Sequence, residues 1–321
     1  MQAVVIDEYC SADKMALREI EKPAAAVHEI VVKVHAASIN PVDWKVRRGD
    51  VRLLVSRKFP KVVGVDFAGT IEQVGSGLKK AKVGDAVFGM CNPLRTQFGS
   101  YGEFAIIEAD AFAIKPPQLT FADAAAIPVA GLTALKALRD LIDLQSGQKL
   151  LINGASGGVG AFAVQLAKLL GSQVVATCSA ANIDFVRGLG ADQVLDYAQD
   201  DVQKLSDKFH GIFDASAKLS FGQVRHLLTD NGTYVTTVPG LAAALDMITT
   251  AIIPGRKSKM VLASGGGNVA NYLSELAAMV VSGRLQTNVT KTISLAELPA
   301  THKAAEAGHN RGKFVVRIID Q

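Results

Sequence analysis

Apolar residues in the first part of the chain come in short runs, at 3–6, 30–34, 69–74, 86–88 and 104–107, separated by turn formers such as Gly49-Asp50, Gly75-Ser76-Gly77 and Gly84-Asp85. This pattern predicts a mostly β region, closed by the stiff Lys115-Pro116-Pro117 segment, with a domain boundary just beyond it. From about residue 121 long Ala- and Leu-rich segments alternate with short apolar runs, the mark of helices joining strands of a parallel sheet. Six strands are expected, at 149–153, 173–177, 193–196, 211–214, 233–237 and 259–263, with helices at 161–170, 183–189, 202–208 and 221–228. They would complete a doubly wound α/β sheet. Beyond Gly265-Gly266-Gly267 the pattern predicts a helix at 268–282, a β-like segment, a short helix at 295–308 and a last strand at 314–319. This tail is expected to return to the β-rich part, so the predicted domains are 1–122 with 265–321, and 123–264.

With 321 residues, 49% of them hydrophobic and 20% charged, the chain can build a large interior, which excludes disordered and low-complexity classes. Net charge is only +4, so no global field calls for nucleic acid or anionic lipid. One local cluster, seven cations and one acid between Lys45 and Lys61, reads better as a solvated loop and cofactor-side rim than as a lipid or nucleic-acid patch. Cys10, Cys91 and Cys178 lie more than eighty residues apart, which is neither a disulfide framework nor a zinc spacing; reduced thiols and a cytoplasmic location are expected. The start carries Asp7 and Glu8 and no signal pattern, and the most apolar stretch, 241–254, is too short to span a bilayer and contains Asp246.

The sharpest local signal is Leu150-Leu151-Ile152-Asn153-Gly154-Ala155-Ser156-Gly157-Gly158-Val159-Gly160, ahead of the predicted 161–170 helix. Glycines in such a strand–turn–helix let the backbone approach a pyrophosphate, and free N–H groups at the helix start point at the anion. A tight turn that needs glycine only for its dihedrals is the bland alternative, and the flanking strand and helix favour the first reading. An NAD site wants an acid about twenty residues past the loop to hold the ribose hydroxyls. Here Ala176-Thr177-Cys178-Ser179-Ala180-Ala181-Asn182 offers none. Ser179, Asn182, N–H groups around Ala180 and Ala181, and Tyr197 after the third strand could meet a 2′-phosphate instead, so NADPH is expected, although that loop holds no Arg or Lys.

Several segments together resemble the zinc-free quinone oxidoreductase branch of the medium-chain dehydrogenase/reductase superfamily, over essentially the whole length. They are Ala37-Ser38-Ile39-Asn40-Pro41-Val42-Asp43-Trp44-Lys45, Val63-Gly64-Val65-Asp66-Phe67-Ala68-Gly69-Thr70, Gly131-Leu132-Thr133-Ala134, the glycine loop and Arg311-Gly312-Lys313. The resemblance, greatest to plant enone oxidoreductases and chloroplast-envelope quinone oxidoreductase homologues, implies an α/β architecture of a Rossmann domain beside a GroES-like β-rich catalytic domain. It also implies NADPH-dependent reduction of quinones or α,β-unsaturated carbonyl compounds. Zinc-dependent relatives carry Cys and His at the positions of Asn40 and Val65, and four closely spaced cysteines after that of Gly84. This chain has neither, and His28, His35, His210, His226, His302 and His309 show no ligand spacing, so no metal is expected.

Without a Lewis acid an alcohol is a poor substrate, whereas an enone or quinone is already electrophilic. The expected step is hydride transfer to the enone β-carbon or the quinone, with the developing oxyanion held by donors. Lys45 leads the candidates, as a cofactor contact by resemblance and as an ammonium able to stabilise an enolate; a solvated lysine is the alternative. Asn40 either supports the nicotinamide or substrate oxygen or forms an Asx turn before Pro41, and Asp43 reads as structural. Tyr101 is a candidate acid or pocket wall, with Trp44, Phe59 and Phe98 as an apolar lid or simply core. Thr133 reads as a helix cap or, by resemblance, a neighbour of the nicotinamide. The resemblance further implies Gly158 and Val159 at the pyrophosphate, Val238 near the nicotinamide, Arg311 and Gly312 from the tail, and a homodimer through the 259–263 edge. A non-catalytic NADPH-binding sensor or structural protein would share the cofactor half, and turnover of an electrophile separates the two.

Overall fold

The computed structural model describes residues 1–319 apart from 79–80, 94, 239, 264–268 and 309, with backbone alone at 241–242. The predicted break at Gly265-Gly266-Gly267, the helix start at Asn268, and His309 lie outside the described residues.

The alternating segments fold as six parallel strands in the order Gln193–Asp196, Gln173–Cys178, Lys149–Asn153, Phe209–Asp214, Leu228–Thr236, Lys257–Met260. The central runs at 150–152 and 174–176 are continuously apolar because both faces are covered: Leu150 and Ile152 pack into one cluster with Phe162 and Val164, and Leu151 into another with Ile212, Phe221 and Val224. The winding reverses between Lys149–Asn153 and Phe209–Asp214, which leaves a crevice at the strands' carboxyl ends.

The β-rich part is a seven-stranded sheet. Its path runs Val289–Ser294, Lys313–Arg317, Glu29–Ser38, Asp66–Val74, Ala86–Met90, Phe112–Ile114, with Phe104–Glu108 also on Glu29–Ser38. The tail strand Lys313–Arg317 pairs antiparallel with residues 36–38, which carries the chain's end back to the loop before the helix Pro41–Arg48. A small sheet of Ala16–Glu19, Gln2–Ile6 and Lys61–Val62 packs beside it.

Three local expectations are corrected. Asn40 heads a helix, Pro41–Arg48, with Asp43 Oδ2 accepting the Asn40 N–H at 2.7 Å, where the sequence offered only a turn. Eight residues are too few to show a period, and two that face inward, Asp43 and Arg47, are charged. The helix expected at 202–208 is a single turn, Val202–Lys204, because Ser206, Asp207 and Lys208 offer nothing to bury. The last parallel strand lies two residues early, at Lys257–Met260. No helix of the described residues is long and apolar enough to cross a membrane.

Candidate active site

A cavity of about 1110 Å³ opens at the carboxyl ends of the parallel strands, bounded by the helix Pro41–Arg48 and the returning tail. It brings together Asn40, Lys45, Gly154, Gly157, Gly158, Val159, Gly160, Ser179, Asn182, Tyr197, Val238 and Gly312. Five other candidates do not line it. Ala180 and Ala181 point outward from the turn Ala180–Asn182. Arg311 lies over the Phe185 ring, 4.3 Å from its centroid. Thr133 is no cap: the helix begins at Pro128, and the buried hydroxyl donates to Val129 O at 2.6 Å. Tyr101 has no exposed surface and donates to Asp43 Oδ2 at 2.8 Å, so it is shielded from any substrate. Of the expected lid, Trp44 reaches the cavity, joined by Phe314; Phe59 instead packs edge-on against Tyr9.

The glycine turn is built by close approach. Gly154 has φ +82°, and a Cβ on Gly160 would stand 2.3 Å from Gly154 O. Beneath it Asn153 donates from Nδ2 to Asp214 Oδ1 and Ser216 Oγ, each at 2.8 Å, and Thr177 Oγ1 donates to Asn153 Oδ1 at 2.6 Å. Gly157 precedes the helix Gly158–Leu169 with no side chain capping it, so its first N–H groups face the cavity unclaimed by a cap. Gly312 N–H donates to Ser156 O at 2.9 Å, pinning the tail to the loop. These features fit a dinucleotide pyrophosphate.

Sequence reasoning missed the residue at the centre of the opposite wall. Lys313 Nζ, on a side chain only 3% exposed, donates to Asn40 Oδ1 at 2.6 Å and Ile39 O at 3.3 Å and stands 3.5 Å from Asp66 Oδ2. Asp66 accepts from Ser38 Oγ and Asn40 Nδ2, both at 2.8 Å, and from Val129 N–H at 2.9 Å. Burial pushes the Asp66 carboxyl up and the Lys313 ammonium down, while each pulls the other back toward its charged form. The Asn40 amide is therefore held at both ends and orients the wall rather than offering itself to a ligand. Apolar neighbours hid Lys313 in Lys313–Arg317; the signal was a lysine placed inward on a strand next to a glycine turn.

Behind this wall Asp43, pushed up to about 7 chiefly by burial, is drawn back by hydrogen bonds from Tyr101 and the Asn40 N–H. His302 Nε2 lies 3.1 Å from the Tyr101 hydroxyl; burial and Arg47 push this imidazole down to about 3, so it is neutral. A carboxyl raised from 3.8 on folding is tightest-bound to its proton in the native state, so its contribution is full below about pH 4 and is lost as pH rises through about 7. Stability measured by urea titration should fall between these limits by up to about 1.4 kcal/mol per pH unit, and Asp43→Asn should flatten that slope. An equal slope in the variant would contradict this.

Zinc does not fit the wall: the Asn40 amide is engaged by an ammonium and a carboxylate, and Val65 is a buried aliphatic. Among the described residues no group of three or more His, Cys, Asp or Glu could hold a metal.

Comparison with known proteins agrees with this architecture. Residues 26–118 match the family described as alcohol dehydrogenase GroES-like domain, and residues 189–316 that described as zinc-binding dehydrogenase. The chloroplast envelope quinone oxidoreductase homolog of Arabidopsis thaliana is 34% identical over 93% of this chain and 92% of its own. The 2-methylene-furan-3-one reductase of Solanum lycopersicum is 36% identical over 67% of this chain and 57% of its own. The quinone oxidoreductase structure from Coxiella burnetii superposes with a TM-score of 0.90 at 29% identity, covering 99% of both chains. With a GroES-like part, a Rossmann sheet and a glycine-turn cavity between them, the chain is an NAD(P)H oxidoreductase and belongs to the quinone oxidoreductase branch of the medium-chain dehydrogenase/reductase superfamily.

Proposed function

We propose that the chain is an NADPH-dependent, zinc-independent reductase of quinones or α,β-unsaturated carbonyl compounds. The observation that carries this reading is the cavity itself: the glycine turn forms one side, and the other presents Trp44, Phe314 and the Lys45 ammonium, with no metal-ligand set among the described residues. The names of two relatives support both acceptor classes. Bound NADPH supplies a hydride from its nicotinamide ring. The residues of the chain do the positioning. Gly154, Gly157 and Gly158 hold the pyrophosphate, Val238 shapes the nicotinamide end, and Trp44 and Phe314 exclude water around a planar acceptor.

Lys45 is half-buried and forms no ion pair among the described residues. Burial lowers its pKa, while Asp50 pulls it back up. It places positive charge where an acceptor oxygen turns anionic. Lys45→Ala should lower kcat about 100-fold, the worth of one oxyanion donor, with a smaller change in KM and partial recovery in Lys45→Arg. The deciding assay follows NADPH and NADH oxidation with a benzoquinone, a vinyl ketone, an alkenal and, in reverse, a saturated alcohol. Turnover of the alcohol alone would overturn the reading, and tight NADPH binding without turnover would leave the non-catalytic binding role.

We further propose a homodimer. The strand Lys257–Met260 is one of the parallel sheet's two edges among the described residues, and the adjoining helix Leu241–Ile252 exposes Leu245, Ile248 and Ile252 at 63%, 60% and 79%. A second copy would cover both. Sedimentation should give a dimer that Ile248→Lys dissociates; a wild-type monomer at micromolar concentration would refute it.

A further inference from the structure

The strand Phe209–Asp214 ends in a carboxylate that shapes the turn after it. Asp214 is fully buried: Oδ1 accepts from Asn153 Nδ2 at 2.8 Å and Ser216 Oγ at 3.0 Å, and Oδ2 from Leu219 N–H at 2.8 Å and the Tyr234 hydroxyl at 3.3 Å. Ser216 and Leu219 are thereby drawn onto one carboxylate, and the two residues between them bulge away from it. Ala217 takes φ +54°, a left-handed conformation rare for a residue with a Cβ. Retreat toward the glycine loop is blocked, because a Cβ on Gly154 would already stand 2.6 Å from Ser216 Cβ.

The residue this strained turn presents is Lys218. It is exposed, lines the cavity and has no hydrogen bond or ion pair among the described residues. Two other cations line the same cavity: Lys313, committed to Asn40 and Asp66, and Lys45, on the helix Pro41–Arg48. The arginines nearest the second-strand loop are spent elsewhere, Arg187 on Asp184 at 3.2 Å and Arg311 on Phe185.

The turn meets the rim segment 197–203 from its Val202 end. Leu219 packs on the same apolar cluster as Val202 and Phe221, and Asp200 and Asp201 also line this stretch. Asp201 is offset by Lys204 at 3.7 Å, and the Asp200 carboxylate accepts the Asp196 N–H. A dianion among Ser179, Asn182 and Tyr197 would therefore meet two carboxylates and one uncommitted ammonium.

We infer that Lys218 binds the adenosine 2′-phosphate and is the residue that makes the site choose NADPH over NADH. The inference rests on the NADPH reading above. It supplies the cation that the Ser179-Ala180-Ala181-Asn182 loop lacks, carried in from a different strand end as a point charge on a flexible stem. Without it the acidic rim would favour an uncharged ribose hydroxyl.

The test is the KM for NADPH and for NADH, with one electron acceptor, in the wild type, Lys218→Met and Lys218→Arg, together with binding of 2′,5′-ADP and 5′-AMP. Lys218→Met should raise the NADPH-to-NADH ratio of KM about tenfold or more, the scale of one charge-assisted hydrogen bond, and weaken 2′,5′-ADP but not 5′-AMP. Lys218→Arg should recover most of both. Equal weakening of both dinucleotides would place the ammonium on the pyrophosphate and overturn the assignment. A wild-type preference for NADPH that survives Lys218→Met would overturn the assignment alone, whereas a wild type without preference would overturn the NADPH reading and the assignment together.

Discussion

Lys313→Met is expected to cost about 3–5 kcal/mol of stability, because it leaves the Asp66 carboxylate buried without its counter-charge. Three hydrogen bonds, from Ser38, Asn40 and Val129, would remain on Asp66, and they do not replace a cation. Asp66, already raised by burial and lowered chiefly by Lys313, would rise further. A carboxyl raised above its unfolded value contributes stability below that value and loses it as pH rises through the folded one, so the variant should recover toward acid. Activity should fall as well, since the Asn40 amide loses the bond at Oδ1 that fixes it against the cavity. Asp66→Asn in the Lys313→Met background should restore most of the lost stability, and urea titrations of the four proteins give the coupling energy. Simple additivity of the two substitutions would show that the pair is not a unit.

Gly160→Ala should raise the dissociation constant for NADPH by roughly 10–100-fold, the scale of 1–3 kcal/mol of overpacking. The added Cβ would lie 2.3 Å from Gly154 O and 2.6 Å from Ala155 Cα, and both are backbone atoms in the turn proposed to hold the pyrophosphate. The turn must widen, which carries the first helical N–H groups away from the anion. Gly222→Ala, where nothing lies within 4 Å, is the control that should bind normally. Quenching of protein fluorescence by NADPH reads both, and unaltered binding in Gly160→Ala would mean that the turn does not hold the cofactor.

The central parallel strands were legible because their apolar runs are closed by turn signals, and Lys149–Asn153 and Gln193–Asp196 fall where the pattern puts them, whereas the polar Lys257–Met260 was placed two residues late. The glycine turn was legible for a related reason: strand, glycines and helix are contiguous, so local spacing carries the whole motif. The helix Pro41–Arg48 was not, since its charged residues Asp43 and Arg47 face inward and find Tyr101 and Glu306 from distant parts of the chain. Tyr101 reads from the sequence as an acid or pocket wall, and Thr133 as a helix cap or, by resemblance, a neighbour of the nicotinamide. Which atoms their hydroxyls reach is decided by packing, and packing turns both away from the cavity.

The sequence by itself determined the α/β plan, the glycine turn between strand and helix and the superfamily, because apolar periodicity and short glycine spacings are local properties that survive in one dimension. Tertiary structure decided which charges work. Lys313 meets Asn40 across 273 positions of chain, and Lys218 reaches the cavity through a turn tied to Asp214. The Lys313 pairing depends on strand order and burial, which no local pattern encodes; only the low-dielectric interior makes a buried ammonium and carboxylate dependent on each other.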